Sequence, residues 1–349
     1  MHVIGRHSDD DGPVCRFGTY RARDGSDGAA VGLDVNHPHA AVVVGKRGNG
    51  KSHTLGVVAE GLARADGVTP VVVDPMGVFG GLEDSPTDAT VHHSPTVRAD
   101  ALPPSAWPDL LGLDSTGPVG SLVWRLAADS ASLEAMLAAV AHADAAPETR
   151  RAATNHLTLA ESWGVFDPDG LAPESLCGSH PDVLDLSGLD STPASAVVRV
   201  VARGLYEARV TGSVDLIPWL LVDEAHAFVG TTADPALRTI LTRGRAPGVG
   251  IALATQRPSA LPDVAVSQAD LRIVHRLTAG PDVSAMTVAD PTYFDETLSA
   301  RLPRERGCAL VVDDTTESVH DVRVRPRETS DGGASPTAVS SLASTETIE

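Results

Sequence analysis

The feature that most constrains this chain is the run Gly45-Lys46-Arg47-Gly48-Asn49-Gly50-Lys51-Ser52, a complete G-x-x-x-x-G-K-S. It follows the apolar stretch Ala40–Val44. It precedes a segment whose apolar residues Leu55, Val58, Ala59 and Leu62 are spaced for one face of a helix. A strand, a glycine-rich loop and a helix in that order make a phosphate cradle. Glycines let backbone N–H groups turn inward around an anion, and the helix N-terminus adds the positive end of its dipole. In such a loop Lys51 reaches the β- and γ-phosphates of ATP and the Ser52 hydroxyl ligates Mg2+. Gly45, Lys46, Arg47, Gly48, Asn49, Gly50 and His53 complete the expected nucleotide-binding segment. A chance match to four fixed positions would not explain the flanking strand and helix. Nor would it explain the lysines, since the chain has only two, Lys46 and Lys51, and both lie here.

A second motif belongs with the first. The run Trp219-Leu220-Leu221-Val222-Asp223-Glu224-Ala225-His226 is an apolar strand ending in two carboxylates. Beside a phosphate loop, the first carboxylate (Asp223) is expected to hold Mg2+. The second (Glu224) is expected to polarise the attacking water as catalytic base. Further on, an apolar run ends in Thr255-Gln256-Arg257-Pro258. If that strand lies beside the Asp223 strand, Gln256 faces the γ-phosphate as a sensor.

Around these motifs, β-rich apolar runs alternate with helical patterns. Strands are expected at 40–44, 71–74, 183–186, 218–222, 251–255, 271–277 and 308–312, and helices at 52–64, 193–209 and 235–243. Near-continuous runs such as TPVVVD and IPWLLVD suit strands buried on both faces, the mark of a parallel sheet covered by helices. Residues 1–30 read as a short polar arm with one strand-like stretch at 14–20. Residues 31–325 read as the patterned domain, interrupted at about 84–180 by an insertion with helices at 121–141 and 148–163. The Ser/Thr/Ala-rich end, 326–349, reads as a disordered tail.

Charge narrows the setting. The 349 residues carry 46 acidic and 27 basic side chains, a net charge of −19, and Asp outnumbers Glu 32 to 14. Loss of lysine and gain of Asp resembles the proteins of extreme halophiles, so the acidity is read as adaptation to solvent. No apolar stretch approaches the roughly 20 residues that span a bilayer. The N-terminal residues lack the pattern of a secretory signal. Cys15, Cys177 and Cys308 are too scattered for a disulfide framework or zinc ribbon. A cytoplasmic location without membrane contact is expected. His37, His39, His92 and His93 lack metal-ligand spacing and are expected as solvated loop residues, and Asp9–Asp11 as solvent-facing.

Several stretches together resemble the HerA/FtsK superfamily of P-loop NTPases, specifically the HerA-like ATPases with the domain called DUF87. They are HAAVVVGKRGNGKSHTLG, VVVDPMG, LLVDEAHAFV, LTRGRAPGVGIALATQRPSALPDVAVSQADLRIVHRLT and, near the end, LSARLPRERGCALVVDD followed by VHDVRVRPR. The resemblance covers roughly 31–327 and is weakest in the insertion. It implies an α/β, RecA/ASCE-like fold with a mainly parallel sheet and a helical insertion. It also implies a homo-hexameric ring that couples ATP hydrolysis to pulling double-stranded DNA, working with a NurA-type nuclease. Carried over by position, Lys51, Ser52, Asp223, Glu224 and Gln256 keep the roles above, and Arg243 or Arg245 becomes the finger reaching a neighbour's nucleotide. The chain departs from the family in three ways. The N-terminal barrel is missing or reduced to about 30 residues. Gly77-Val78 stands where the family has Gly-Glu. No helical extension is expected after 325.

Two functions stay open on these grounds. One is a DNA-translocating motor, with Arg150 and Arg151 or Arg301, Arg304 and Arg306 as candidate DNA contacts. The other is a switch ATPase that acts on a protein partner without DNA, favoured by the lack of a basic stripe.

Overall fold

Within the strand Ala40–Val44, Val42 and Val44 enter one apolar core while Ala41 and Val43 enter another. Successive strand residues face opposite sides, so a five-residue apolar run can be stable only with a layer packed on each face. The same split recurs at Val71 and Val73 against Val72, and at Leu220 and Val222 against Leu221. Full burial of each such side chain contributes roughly 1.5–3 kcal/mol. The computed structural model describes residues 1–332 except 23, 85, 288–292 and 294–296.

The strands are β1 (His2–Ile4), β2 (Val14–Arg21), β3 (Asp27–Asp34), β4 (Ala40–Val44), β5 (Val68–Asp74), β6 (Thr90–His93), β7 (Asp182–Asp185), β8 (Ile217–Val222), β9 (Gly250–Thr255), β10 (Leu271–Val274), β11 (Cys308–Asp313) and β12 (Ser318–Val324). They form one sheet in the order β1-β3-β2-β12-β11-β10-β4-β9-β8-β5-β7-β6. From β10 to β6 all neighbours are parallel. Antiparallel pairing joins β10 to β11, β11 to β12, β12 to β2 and β2 to β3, and β1 pairs parallel with β3. The principal helices are α1 (Lys51–Leu62), α2 (Ala106–Leu110), α3 (Pro118–Asp129), α4 (Leu133–Val140), α5 (Pro147–Ser162), α6 (Ser191–Thr211) and α7 (Asp234–Arg243). Residues of α1 belong to one core and those of α2 to α7 to the other.

Four expectations need correcting. Residues 1–30 are not an arm with one strand: they hold β1, β2 and the start of β3, and a boundary at 31 cuts through β3. Their polar pattern concealed this because β2 and β3 are only partly buried. The insertion is not purely helical, since β6 inside it pairs with β7 at the sheet edge. The helix expected at 121–141 is two, because Ser130 turns extended and Ser132 caps α4 by accepting the Ala135 N–H at 3.1 Å. Residues 326–332 lie against α1. The backbone N–H groups of Glu328 and Thr329 each donate to Glu60 at 2.9 Å, and Arg325 pairs with the same buried carboxylate at 2.6 Å. The remainder of the expected tail, 333–349, lies outside the described residues. Among the described residues no helix is long and apolar enough to cross a membrane.

Candidate functional site

The phosphate loop joins β4 to α1 and needs glycine where it turns most sharply. Gly48 and Gly50 adopt φ of +75° and +110°, conformations that L side chains resist. Gly50 is the N-cap of α1 and no side chain caps that end, so its first-turn N–H groups are left for a ligand. Asn49 donates from its side chain to the Arg47 carbonyl at 3.1 Å, which braces the loop. The Lys46 N–H donates to the Arg276 carbonyl at 2.8 Å. Lys51 is buried, with Nζ 3.5 Å from the Lys46 carbonyl. Burial holds its ammonium below the usual lysine range, and Glu224 and Asp223 oppose that effect.

The two carboxylates come from β8, two strands away, with β9 between. Register sets the ends level: Val44 pairs with Thr255, and Val222 with Leu253. The Ser52 hydroxyl consequently donates to Asp223 at 2.7 Å across 171 residues of sequence. Asp223 is buried, and desolvation pushes its carboxyl up while the Ser52 hydrogen bond and the Glu224 N–H at 2.9 Å pull it down. Glu224 has φ +45°, uncommon for a residue with a side chain. Burial pushes its carboxyl above the usual range, and Lys51 and Arg47 oppose this. Its Oε2 is shut from solvent without a hydrogen bond and lies 3.3 Å from Nδ1 of His226. Strain, burial and an unsatisfied oxygen coincide at one side chain, as at sites that store energy for function.

These donors suit Mg2+. Among the described residues no cluster of three His, Cys, Asp or Glu could cage a metal. Mg2+ asks for less, one or two carboxylate or hydroxyl oxygens, the rest coming from water and phosphate. Ser52 and Asp223, already in contact, are such a pair.

Gln256 directly follows β9, the strand between β4 and β8, and makes no side-chain hydrogen bond among the described residues. Arg243 ends α7 and Arg245 follows it. Both are exposed and neither forms an ion pair among the described residues. His53 turns its ring away from the loop, with Nε2 2.8 Å from the Arg325 carbonyl. Of the candidate DNA contacts, Arg150 donates to the Ala143 and Ala145 carbonyls and Arg301 pairs with Asp321. Arg151, Arg304 and Arg306 are exposed.

The histidine expectations also need correction. His39 is not a solvated loop residue; it is buried, bridging Asp34 at 3.1 Å and Asp270 at 2.9 Å. His37 binds Asp34, and His92 and His93 lie in β6 against Asp182 and Asp185. No motif marked this, because the carboxylates come from distant parts of the sequence.

Sequence reasoning missed three residues. His275, just past β10, is wholly buried beneath the loop, and a Cβ on Gly45 would stand 2.6 Å from its own Cβ. Its Nδ1 lies 2.9 Å from the Cys308 carbonyl and its Nε2 2.8 Å from the Thr54 hydroxyl of α1. A carbonyl only accepts, so Nδ1 carries the hydrogen and Nε2 accepts from Thr54. Burial pushes this imidazole down to about 4, which keeps that tautomer neutral. Asp74, buried at the end of β5, accepts the N–H groups of Met76 at 3.1 Å and Phe79 at 2.8 Å. His226 touches both Glu224 and the Thr255 hydroxyl, the latter at 3.2 Å. A lone histidine closing the apolar run LRIV was the one available signal for His275.

The mostly parallel sheet, its flanking helices and a phosphate loop at the carboxyl end of β4 define a P-loop NTPase fold. Solved structures share it. VirB4 of Thermoanaerobacter pseudethanolicus superposes with a TM-score of 0.69 at 15% identity, over 96% of this chain and 100% of that one. The bacterial conjugative coupling protein TrwBdeltaN70 superposes in its unbound monoclinic form with a TM-score of 0.61 at 14% identity, over 95% of this chain and 91% of that one. Its trigonal form in complex with sulphate gives 0.60 at 17% identity, over 94% and 98%. No protein-family model and no curated protein sequence matches the chain.

Proposed function

We propose that this chain is an ATP-hydrolysing motor of the HerA/FtsK type that couples turnover to movement along double-stranded DNA. One observation carries the reading: Ser52 and Asp223, 171 residues apart, meet at 2.7 Å at the carboxyl ends of the strands, beside Lys51 and Glu224. Lys51 and the loop N–H groups bind and orient the phosphates. Mg2+, held by Ser52 and Asp223, neutralises phosphate charge when bound. Glu224, its carboxylate raised by burial and facing no donor within hydrogen-bonding geometry, accepts the proton of the attacking water. Gln256 contacts the γ-phosphate from β9. Arg243 or Arg245, both exposed, completes a neighbouring subunit's site in a homo-hexamer. A NurA-type nuclease is the proposed partner, and the cytoplasm the proposed location.

A switch ATPase regulating a protein partner is the second reading. The lack of a clear basic stripe in the sequence favours it, because affinity for DNA rests on basic contacts and falls with salt. Steady-state ATPase activity in high KCl with Mg2+, with and without linear duplex DNA, tests the choice, with Glu224→Gln as blank. Several-fold stimulation by DNA supports the motor. Turnover indifferent to DNA moves the conclusion to the switch.

A further inference from the structure

A cavity lies away from the phosphate loop, with none of the loop residues in its lining. A cleft of about 680 Å3 opens between α2 of the insertion, the first turns of α6 and the segment 230–235 that follows the Asp223-Glu224 pair. It lies past the carboxyl ends of β7 and β8, where open α/β sheets hold ligands, and its size suits a molecule as large as a nucleotide. Its lining includes Arg199, whose guanidinium has no hydrogen bond or ion pair among the described residues and whose Nε is shut off from solvent. The neighbouring carboxylate does not satisfy it: Glu207 is taken by Arg203 at 2.7 Å, one turn further along α6. Arg203 adds like charge and, after burial, is the next cause pushing Arg199 below the usual arginine range. Glu207 and Asp109 act on it only through charge, without contact among the described residues, so in a chain with 46 acidic residues this partly buried arginine is a placed charge.

Hydroxyls share the lining with apolar residues such as Leu110, Leu113 and Pro235. Ser105, Ser191, Thr192 and Thr232 face the cleft, and their hydroxyls make no hydrogen bond within the described residues. No side chain caps the start of α6. One carboxylate, the exposed Asp109, also lines the cleft, so the site is not uniformly electropositive. A guanidinium beneath several hydroxyl donors matches a phosphate oxyanion, and a hydroxyl or base edge of the same ligand can donate to Asp109.

We propose that this cleft is a second phosphate-ester site, separate from the phosphate loop, that takes one nucleotide unit. The unit is either a free mononucleotide or one residue of a polynucleotide strand. Phosphate oxygens bind Arg199 and the hydroxyls.

Binding of radiolabelled ADP and of a 20-base-pair duplex to the full chain, before and after Arg199→Ala, tests this. If the source is a free nucleotide, wild type binds two ADP per chain, and Arg199→Ala and Lys51→Ala each bind one. If the source is a strand, wild type and Arg199→Ala both bind one ADP, but Arg199→Ala loses about tenfold or more in duplex affinity. DNA-independent ATP hydrolysis stays at the wild-type rate in Arg199→Ala, which separates this site from the phosphate loop. Ser191→Trp, at an exposed position on the rim, fills the cleft without touching the arginine and gives the same losses should Arg199→Ala fold poorly. Unchanged ADP stoichiometry together with unchanged duplex affinity in a folded variant overturns the proposal.

Discussion

In the parallel half of the sheet β4, β5, β8 and β9 are buried along nearly their whole length, whereas in the antiparallel half β2, β3 and β12 run between core and solvent. The difference decides where polar groups can sit. A strand dry on both faces tolerates polar side chains only at its ends. Lys51, Asp223, Glu224 and Asp74 therefore collect at the carboxyl edge, held close and partly unsatisfied. The half-wet strands keep polar residues along their length and tie them to one another. Tyr20, His320, Ser318, Thr316 and Asp313 form one hydrogen-bonded chain there, ending on the Gly5 N–H. One half concentrates chemistry and the other is stapled.

The largest effects should fall on the carboxyl edge. Lys51→Ala is expected to abolish nucleotide binding at the phosphate loop, read by equilibrium dialysis with labelled ATP as the loss of one site. Glu224→Gln is expected to keep binding and to slow hydrolysis by about 10²–10⁴-fold. Normal turnover in Glu224→Gln would end its assignment as base.

Next comes Glu60, where the chain after β12 is fastened to α1. Glu60→Leu takes the nearer carboxylate from Arg325 and the acceptor from the N–H groups of Glu328 and Thr329, and should cost about 3 kcal/mol in urea unfolding. If the variant unfolds like wild type, the fastening has no energetic role.

His275→Leu keeps bulk beneath the loop but leaves the Cys308 carbonyl and Thr54 hydroxyl unpaired, at a cost of about 1–3 kcal/mol. Because Thr54 lies in α1, the KM for ATP should also rise. A lower melting temperature with unchanged KM would make His275 a plain core residue.

The stapled half should answer to pH. Burial alone would push His39 down, but hydrogen bonds and charge from Asp270 and Asp34 outweigh it and leave it pushed up to about 9, from 6.5 when unfolded. A pKa raised by folding stabilises where the group is protonated in both states. The contribution is therefore complete below about pH 6.5 and lost as pH rises to about 9. Urea midpoints should fall over that window in wild type and less in His39→Gln. Equal slopes would remove His39 from the account. The smallest effect belongs to the exposed pair Arg203–Glu207, where Glu207→Gln should change stability by about 0.3–0.5 kcal/mol.

Legibility followed the same division. The seven strands expected from sequence correspond to β4, β5 and β7 to β11, because apolar runs buried on both faces cannot be mistaken for loops. β1, β3 and β6 escaped notice as strands, being short or half exposed, with apolar and polar residues too mixed to set a period. The loop residues and the Asp223-Glu224 pair were legible because each motif is contiguous and its chemistry demands those residue types.

Contiguity is also where the sequence stopped. By itself it determined the parallel α/β class, the phosphate loop and the two carboxylates, since each depends on neighbours within about ten positions. Only the tertiary structure put β9 between β4 and β8, brought Ser52 onto Asp223, set His275 beneath Gly45, closed Asp34 and Asp270 around His39, and placed Arg199 in the lining of a cleft. Each of these is a meeting of segments tens to hundreds of residues apart. Strand order and burial create them, and no local pattern encodes either.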